Sequence, residues 1–122
     1  MEFYRCEVCG KIVAMVKSTD FSTVCCGRPM HRLEPGLTDG ATEKHVPVYT
    51  VEGNQVTVKV GSVPHPMSED HHIEWIAIES ETGNQRKELK PGDKPEATFA
   101  LVPYDKVRNV YEYCNRHGLW KA

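Results

Sequence analysis

Several features are missing from this 122-residue sequence. No apolar run approaches the roughly 20 residues that a membrane-spanning helix needs, and the segment from Met1 to Cys6 lacks the apolar core of a signal peptide. Lysine and arginine are scattered, and the formal net charge is -2, which argues against the basic stripe of a nucleic-acid-binding protein. We therefore expect a cytoplasmic protein with no membrane and no nucleic-acid partner.

The composition is that of a folded chain. Apolar residues make up 39% and charged residues 26% of the sequence, as in soluble globular proteins without a disordered tail. The length suits one ordinary domain, or a small metal-stapled module followed by a domain with a modest core. We favour the second arrangement because of the cysteines.

Five cysteines without a secretion signal favour metal or redox chemistry, because the cytosol keeps structural thiols reduced. Cys6 and Cys9 form a Cys-x-x-Cys knuckle whose following Gly10 allows a tight turn. Cys25 and Cys26 supply two further thiolates. Such a four-sulfur site suits zinc or iron, and it can fold a segment too small to have its own core. Because Cys25 and Cys26 are adjacent, the backbone must distort for both to reach one ion.

The remainder of the chain alternates short β-like runs with turn residues. The stretch 34–42 is rich in turn residues, and we interpret it as a linker. Runs at 46–51 and 55–60 flank Glu52-Gly53-Asn54 and predict a hairpin. Further strands are predicted at 12–16, 73–78, 85–90, 97–102 and 106–114. The last run also fits a helical face, although its context favours a strand. Strands at this spacing predict an antiparallel sandwich or barrel.

The six histidines suggest a second metal site. Four of them occupy predicted strand ends or loops, where a rigid sheet can hold ligands around an ion: His45, His65, His71 and His117. The fifth cysteine, Cys114, precedes His117 by three residues. One thiolate combined with several imidazoles favours iron or copper, with zinc also possible.

Taken in order, these motifs resemble desulfoferrodoxin, the two-iron form of superoxide reductase. They cover nearly the whole chain: Cys6-x-x-Cys9 with Cys25-Cys26, Glu43-Lys44-His45-Val46-Pro47, His65-Pro66-Met67, His71-His72-Ile73-Glu74-Trp75-Ile76, and Tyr113-Cys114-Asn115-x-His117-Gly118-x-Trp120. The resemblance implies a mainly β protein. A small rubredoxin- or desulforedoxin-like, metal-stapled domain would span 1–35, and an immunoglobulin-like antiparallel β-sandwich would span 36–122.

The resemblance also implies two iron ions per chain. The first would be bound by Cys6, Cys9, Cys25 and Cys26. The second, catalytic iron would be bound by four equatorial imidazoles and one axial thiolate, from His45, His65, His71, His117 and Cys114. His31 matches no ligand position, and His72 stands where relatives often have an aromatic residue, so we expect it to be a neighbour of the site.

The implied activity is the one-electron reduction of superoxide to hydrogen peroxide, which detoxifies superoxide. Lys44 would attract and hold the anion, and Glu43 resembles the carboxylate that caps the ferric iron after the product has left. The resemblance further implies a small electron-donor protein such as rubredoxin, and a homodimer.

Two other classes of protein remain as alternatives. A zinc ribbon joined to a β-sandwich could serve as a structural or binding module. A zinc hydrolase would need three protein ligands and a bound water, and here only Glu43 is placed as a general base. Either alternative would contain zinc alone, whereas the reductase would contain two irons.

Overall fold

The computed structural model describes residues 1–36 and 40–122, and its regular elements are almost all β-strands. The predicted linker at 34–42 falls partly on residues 37–39, which lie outside the described residues. The chain divides into two compact units, Met1–Glu34 and Pro35–Ala122. Across the described ranges, no helix is both long enough and apolar enough to cross a membrane.

The first unit is built from five very short strands, namely β1 (Phe3–Arg5), β2 (Ile12–Ala14), β3 (Val24–Cys25), β4 (Arg28–Pro29) and β5 (His31–Arg32). β1 lies between β2 and β5, and β3 pairs with β4. β2 is shorter than the predicted run at 12–16 because the chain leaves the sheet there, and Val16 is fully exposed.

The described residues of the second unit form one helical turn and seven strands: α1 (Thr42–His45), β6 (Pro47–Glu52), β7 (Gln55–Val60), β8 (Ile73–Ser80), β9 (Asn84–Glu88), β10 (Glu96–Ala100), β11 (Val107–Cys114) and β12 (Gly118–Lys121). They form two sheets with strand orders β10-β7-β6 and β12-β11-β8-β9, in which all the pairings are antiparallel. The predicted antiparallel β-architecture is confirmed.

The core of this unit lies between the two sheets. Val56, Val58 and Val60 alternate along β7 with outward residues, and all three are buried. They belong to one apolar cluster with residues of β8, β10 and β11, including Phe99 and Cys114. The hairpin prediction is confirmed, because β6 and β7 pair from Pro47↔Val60 to Glu52↔Gln55 around Gly53-Asn54. Gly53 has φ +60°, a left-handed conformation that glycine adopts without a steric penalty.

Two local features differ from the expectation. His45, placed at the start of the strand predicted at 46–51, ends α1 instead, and β6 starts at Pro47. No strand was predicted after Cys114, but Gly118–Lys121 turns back as β12 and pairs with β11. Leu119 and Trp120 are buried there, so tertiary packing stabilises a strand too short to show a period of its own. The ambiguous run at 106–114 is a strand, as its context indicated.

Candidate metal centres

The first unit brings its four cysteines together. Cys6 follows β1, Cys9 lies in the next turn, and the other two lie at the β3–β4 hairpin. All four sulfur atoms lie within 4.8 Å of one another. Cys25 Sγ is 3.7 Å from Cys9 Sγ and 3.9 Å from Cys26 Sγ. A metal–sulfur distance of about 2.3 Å places tetrahedral sulfurs about 3.8 Å apart, so the set has the spacing of a four-thiolate site.

The backbone distortion expected of the adjacent cysteines occurs at Cys26. Its φ is +52°, in the left-handed region, and the following Gly27 has φ +73°. A non-glycine residue in this conformation costs about 1–3 kcal/mol and persists where the surroundings impose it. Here the distortion brings two neighbouring thiols to the same side of the chain.

The electrostatics of the four thiols call for a cation. The backbone N–H of Cys9 lies 3.4 Å from Cys6 Sγ and lowers the pKa of Cys6 to about 6, because a donor stabilises the thiolate. The pKa of Cys26 is raised to about 12, chiefly by hydrogen bonding with the Cys9 side chain. Four thiolates crowded in this way repel one another, and a soft metal ion that binds all four removes the repulsion. The residues therefore fit an Fe(Cys)4 centre.

In the second unit, four imidazole rings form a square. Ring centroids of neighbours are 4.7 Å apart for His45–His65 and for His65–His71, 5.0 Å for His71–His117, and 4.8 Å for His45–His117. The diagonal from His45 to His71 is longer, at 6.5 Å. Neighbouring planes are inclined at 74° to 85°, so the rings present edges to one another around a common centre.

Backbone carbonyls determine which nitrogen of two rings faces this centre. His45 Nδ1 lies 2.8 Å from Ala41 O, and His65 Nδ1 lies 2.6 Å from Pro66 O. Because a carbonyl only accepts, each Nδ1 carries the hydrogen and each Nε2 keeps a lone pair. The two Nε2 atoms are nevertheless only 3.2 Å apart. Lone pairs at this distance repel unless a cation lies between them.

The other two rings complete the donor set. His117 Nδ1 lies 3.1 Å from His45 Nε2, close to the spacing of about 3.0 Å for adjacent nitrogens each about 2.1 Å from one ion. His71 Nε2 is buried and has no hydrogen-bond partner in the described part of the chain. An unpartnered buried nitrogen aimed at three others indicates a ligand to a metal.

Cys114 adds a sulfur to this set. Its Sγ lies within 4.8 Å of the ligand atoms of His45, His65 and His71, and 3.9 Å from His117 Nδ1. The side chain is fully buried, and burial raises the pKa of its thiol. A metal ion would hold it as the thiolate. Burial also lowers the pKa of His45 and His71, and that of His65 to about 4, which favours the neutral imidazoles that bind metals. The five donors therefore fit an iron site.

Four of the five donors lie at or beside the end of an element, and His65 lies in a loop. His45 ends α1, while His65 lies between Pro64 and Pro66, which exclude helix from its loop. His71 lies just before β8, and Cys114 ends β11. The β11–β8 register shifts beside Cys114, which pairs with Ile73 while the preceding Tyr113 pairs with Trp75. Such an irregularity changes the direction in which a side chain points.

Several supporting residues were not predicted from the sequence. Asn115 joins two ligand loops: its backbone N–H donates to His72 O, its Nδ2 donates to Asp70 O, and its Oδ1 accepts from His72 N. Trp120 stacks on the His45 ring at 4.9 Å, and its Nε1 donates to His117 O. Only the fold reveals these roles, since they depend on segments that are distant in the sequence.

Glu112 is a further unpredicted residue. The Glu112 side chain is buried, and both of its carboxylate oxygens lack hydrogen bonds in the described structure. Burial raises the pKa of this carboxyl well above its usual value. Glu112 alternates with Val110 and Cys114 along β11, and this period-2 pattern could have predicted that its side chain points inward.

The remaining candidates lie around the square or away from it. Glu43 and Lys44 are exposed on α1 beside the buried His45. His72 is outside the ring, and its Nδ1 lies 3.0 Å from Ser68 O. His31 is exposed in β5 of the first unit. The structure thus brings together the five predicted donors of the second site and separates His72 from them.

Comparison with known proteins gives matches along the whole chain. A family model described as "Desulfoferrodoxin, N-terminal domain" matches residues 1–33, and one described as "Desulfoferrodoxin" matches residues 37–122. A desulfoferrodoxin homolog of Archaeoglobus fulgidus is 51% identical, covering 100% of this chain and 96% of the relative. The desulfoferrodoxin of Nitratidesulfovibrio vulgaris is 50% identical, covering 99% and 94%.

Solved structures agree with this result. The superoxide reductase from Treponema pallidum superposes with a TM-score of 0.84 at 39% identity, covering 99% of this chain and 97% of that chain. The one-iron superoxide reductase of Giardia intestinalis has a TM-score of 0.56 at 33% identity, and the match covers 66% of this chain and 95% of that chain.

Proposed function

The chain belongs to the desulfoferrodoxin family, and we propose from this premise that it is a superoxide reductase, which reduces superoxide to hydrogen peroxide in a one-electron reaction. The single observation that carries the proposal is the square of imidazoles that direct lone pairs at one point, with the Cys114 sulfur beside them. The chain carries two irons, one at each donor set.

We assign the ligands as follows. Cys6, Cys9, Cys25 and Cys26 hold the first iron, and His45, His65, His71, His117 and Cys114 hold the second. An iron held by the second set would supply the electron that superoxide accepts. The overall change adds one electron and two protons to superoxide, and no O–O bond breaks.

The surrounding residues bring the substrate and the donors into place. We assign Lys44 to the attraction of superoxide, because this lysine is exposed and stands between Glu43 and the ligand His45 in the sequence. Its positive charge near the site would attract an anion. Its three N–H groups can also donate to the bound anion. Glu43, on the same exposed turn, is assigned a role at the second site after the product has left. Trp120 holds the His45 ring by stacking on it.

The context of the reaction is also part of the proposal. We place the protein in the cytoplasm, where its five cysteines, all of them described and none in a disulfide, would remain reduced. A small redox protein such as rubredoxin would supply the electron, and the chain would work as a homodimer. The first iron centre, with exposed Cys9 and Cys26, could receive that electron as well as stabilise its unit.

The direct test is metal analysis combined with superoxide consumption. We expect two irons per chain, and peroxide formation from superoxide in the presence of an electron donor without release of dioxygen. Replacing Cys114 by Ser should abolish the thiolate-to-iron absorption of the oxidised second centre and leave the absorption of the first centre unchanged. Zinc as the sole metal in active preparations, or dioxygen as a product, would contradict the proposal.

A further inference from the structure

The turn that leads to His65 lies directly against the backbone of Glu43 and Lys44. Val63 N–H donates to Glu43 O at 3.0 Å, and Ser62 Oγ donates to the same oxygen at 3.3 Å. His65 N–H donates to Val60 O at 3.2 Å, which closes the turn. Two segments that are distant in the sequence therefore meet at one carbonyl.

The sequence explains why this carbonyl needs outside donors. In a helix, Glu43 O would accept from the N–H four residues later. That residue is Pro47, which has no N–H. The carbonyl of Glu43 is consequently left without a helical partner, and the turn at 60–65 provides the hydrogen bonds instead.

Gly61 makes this approach possible. Its φ is +61°, and a Cβ built on it would lie 2.7 Å from Lys44 Cα and 2.7 Å from the Lys44 carbonyl carbon, and closer still to Glu43 O. Real Cβ atoms do not approach backbone so closely, and these neighbours cannot rotate away. A side chain at position 61 would therefore push the backbone of Glu43 and Lys44 away from the turn.

We propose that Gly61 is a positioning residue for the reaction, because its missing side chain lets the turn at 60–65 fix where Lys44 and Glu43 stand relative to the four histidines. The same turn carries His65, but the His65 N–H is held separately by Val60 O, so the close approach at Gly61 acts on the residues that face the substrate and not on the ligand. This inference rests on the proposed function for the roles of Lys44 and Glu43, but the contact itself is geometric.

The chain contains a matched control. Gly53, in the β6–β7 turn, has φ +60°, nearly the same as Gly61, but a Cβ there would meet nothing within 4 Å. Gly61→Ala and Gly53→Ala therefore introduce the same left-handed alanine. The collision with Glu43 and Lys44 arises only in Gly61→Ala, at a buried position, whereas Gly53 is exposed.

The experiment compares the two iron-loaded variants with the parent protein in three measurements: metal content, the second-order rate with superoxide per catalytic iron at several ionic strengths, and hydrogen–deuterium exchange. The exchange of a peptide covering 60–67 is informative because Pro64 and Pro66 contribute no amide, so Val63 is one of few amides in it.

For Gly61→Ala we expect two irons per chain, faster exchange of this peptide, and a rate about twofold lower with a flatter dependence on ionic strength, since displacing Lys44 removes part of the attraction that its charge provides. Gly53→Ala should match the parent in all three. A merely structural role would lower stability and leave the rate per iron unchanged.

Equal exchange and equal rates for the two alanine variants would overturn the proposal. Loss of the catalytic iron from Gly61→Ala alone would also overturn it, because Gly61 would then support the ligands and not Lys44. Should Gly61→Ala fail to fold, Ser62→Ala decides: faster exchange with a lower rate per iron supports the proposal, and parental values of both overturn it. A parent protein with both irons but no superoxide reduction would refute the proposed function, while the exchange comparison would still test the contact.

Discussion

His45 and His65 show how a single hydrogen bond sets the chemistry of a side chain. Each ring donates from Nδ1 to a backbone carbonyl, which turns the lone pair of Nε2 towards the other ring. Burial, the largest cause, lowers the pKa of both rings. The rings are thus held in the neutral form and tautomer that a metal requires, before any ion binds.

At the same scale, Lys44 should control the encounter with superoxide. We expect Lys44→Ala to lower the second-order rate several-fold, and to flatten its dependence on ionic strength, because a positive charge near the site raises the local concentration of an anion. Stopped-flow or pulse-radiolysis kinetics at several salt concentrations measure both effects.

Lys106→Ala is the matched control for this charge. Lys106 precedes β11, whose far end carries Cys114, so about eight residues of strand, or roughly 25 Å, separate the two. The control removes one exposed lysine without touching the site and should keep the parental rate. Equal rates for both variants and the parent would remove Lys44 from the mechanism.

Among the elements, β8 and β11 decide where the second site lies. They are the two central strands of their sheet, and one of their two register irregularities falls between Tyr113 and Cys114, beside the donor sulfur. Trp75 and Tyr113, paired across this point, stack at 5.6 Å with an angle of 9°. The other end of the same strand pair is held by Asp105, which accepts hydrogen bonds from Thr82 Oγ1 at 2.7 Å and Lys106 N at 2.9 Å.

The hydrogen bonds accepted by Asp105 lead to a prediction about how stability depends on pH. Hydrogen bonds from Ser80 first, and then from Thr82 and Lys106, lower the pKa of Asp105 below its usual 3.8. A carboxyl whose pKa is lower in the folded state than in the unfolded state stabilises the fold at pH values above its unfolded-state pKa. That stability is lost as the pH falls through its folded-state pKa. We therefore expect Asp105→Asn to be less stable than the parent at pH 7, and the difference to shrink at about pH 3.

Urea unfolding followed by tryptophan fluorescence measures this difference. Both tryptophans, Trp75 and Trp120, lie in the second unit, so the signal reports on that unit. Asp93→Asn is the control for the lost charge, since Asp93 accepts a backbone hydrogen bond from Lys90 in another turn. A difference between parent and Asp105→Asn that grows towards acid pH would contradict the assignment.

The whole molecule consists of two units that are stabilised in different ways. Within Met1–Glu34 only Phe3, Cys6 and Met30 are buried apolar residues, whereas the second unit has a continuous core between its sheets. A segment of this size with so little buried apolar surface needs a metal or a similar crosslink to fold. The first iron is therefore expected to have a structural role, whatever its part in electron transfer.

From this difference we expect Cys25→Ser to lose one iron per chain and the ordered structure of the first unit, and to keep superoxide reduction per catalytic iron within about twofold, because the second unit has its own core. Iron analysis, visible absorption and kinetics with a chemical reductant test this. Cys114→Ser is the reciprocal variant, which should keep the first iron. Loss of both irons from Cys25→Ser would contradict the independence of the two units.

The sequence alone determined what depends on local spacing. The Cys-x-x-Cys knuckle, the distortion required at Cys26 and the hairpin around Gly53-Asn54 all follow from residues close together in the chain, where steric limits and period-2 alternation act directly. The candidate donors could be named in the same way, because their residue types and their places between predicted strands are written in the sequence.

Only the tertiary structure decided how distant segments meet. It set the cyclic order of the four imidazoles and revealed that Gly61 lies against the backbone of Glu43. It also formed β12, whose two buried residues pack only after β11 is in place. These features depend on strand register and on one irregularity in the ladder, and a sequence pattern cannot express either, because both arise from contacts between segments tens of residues apart.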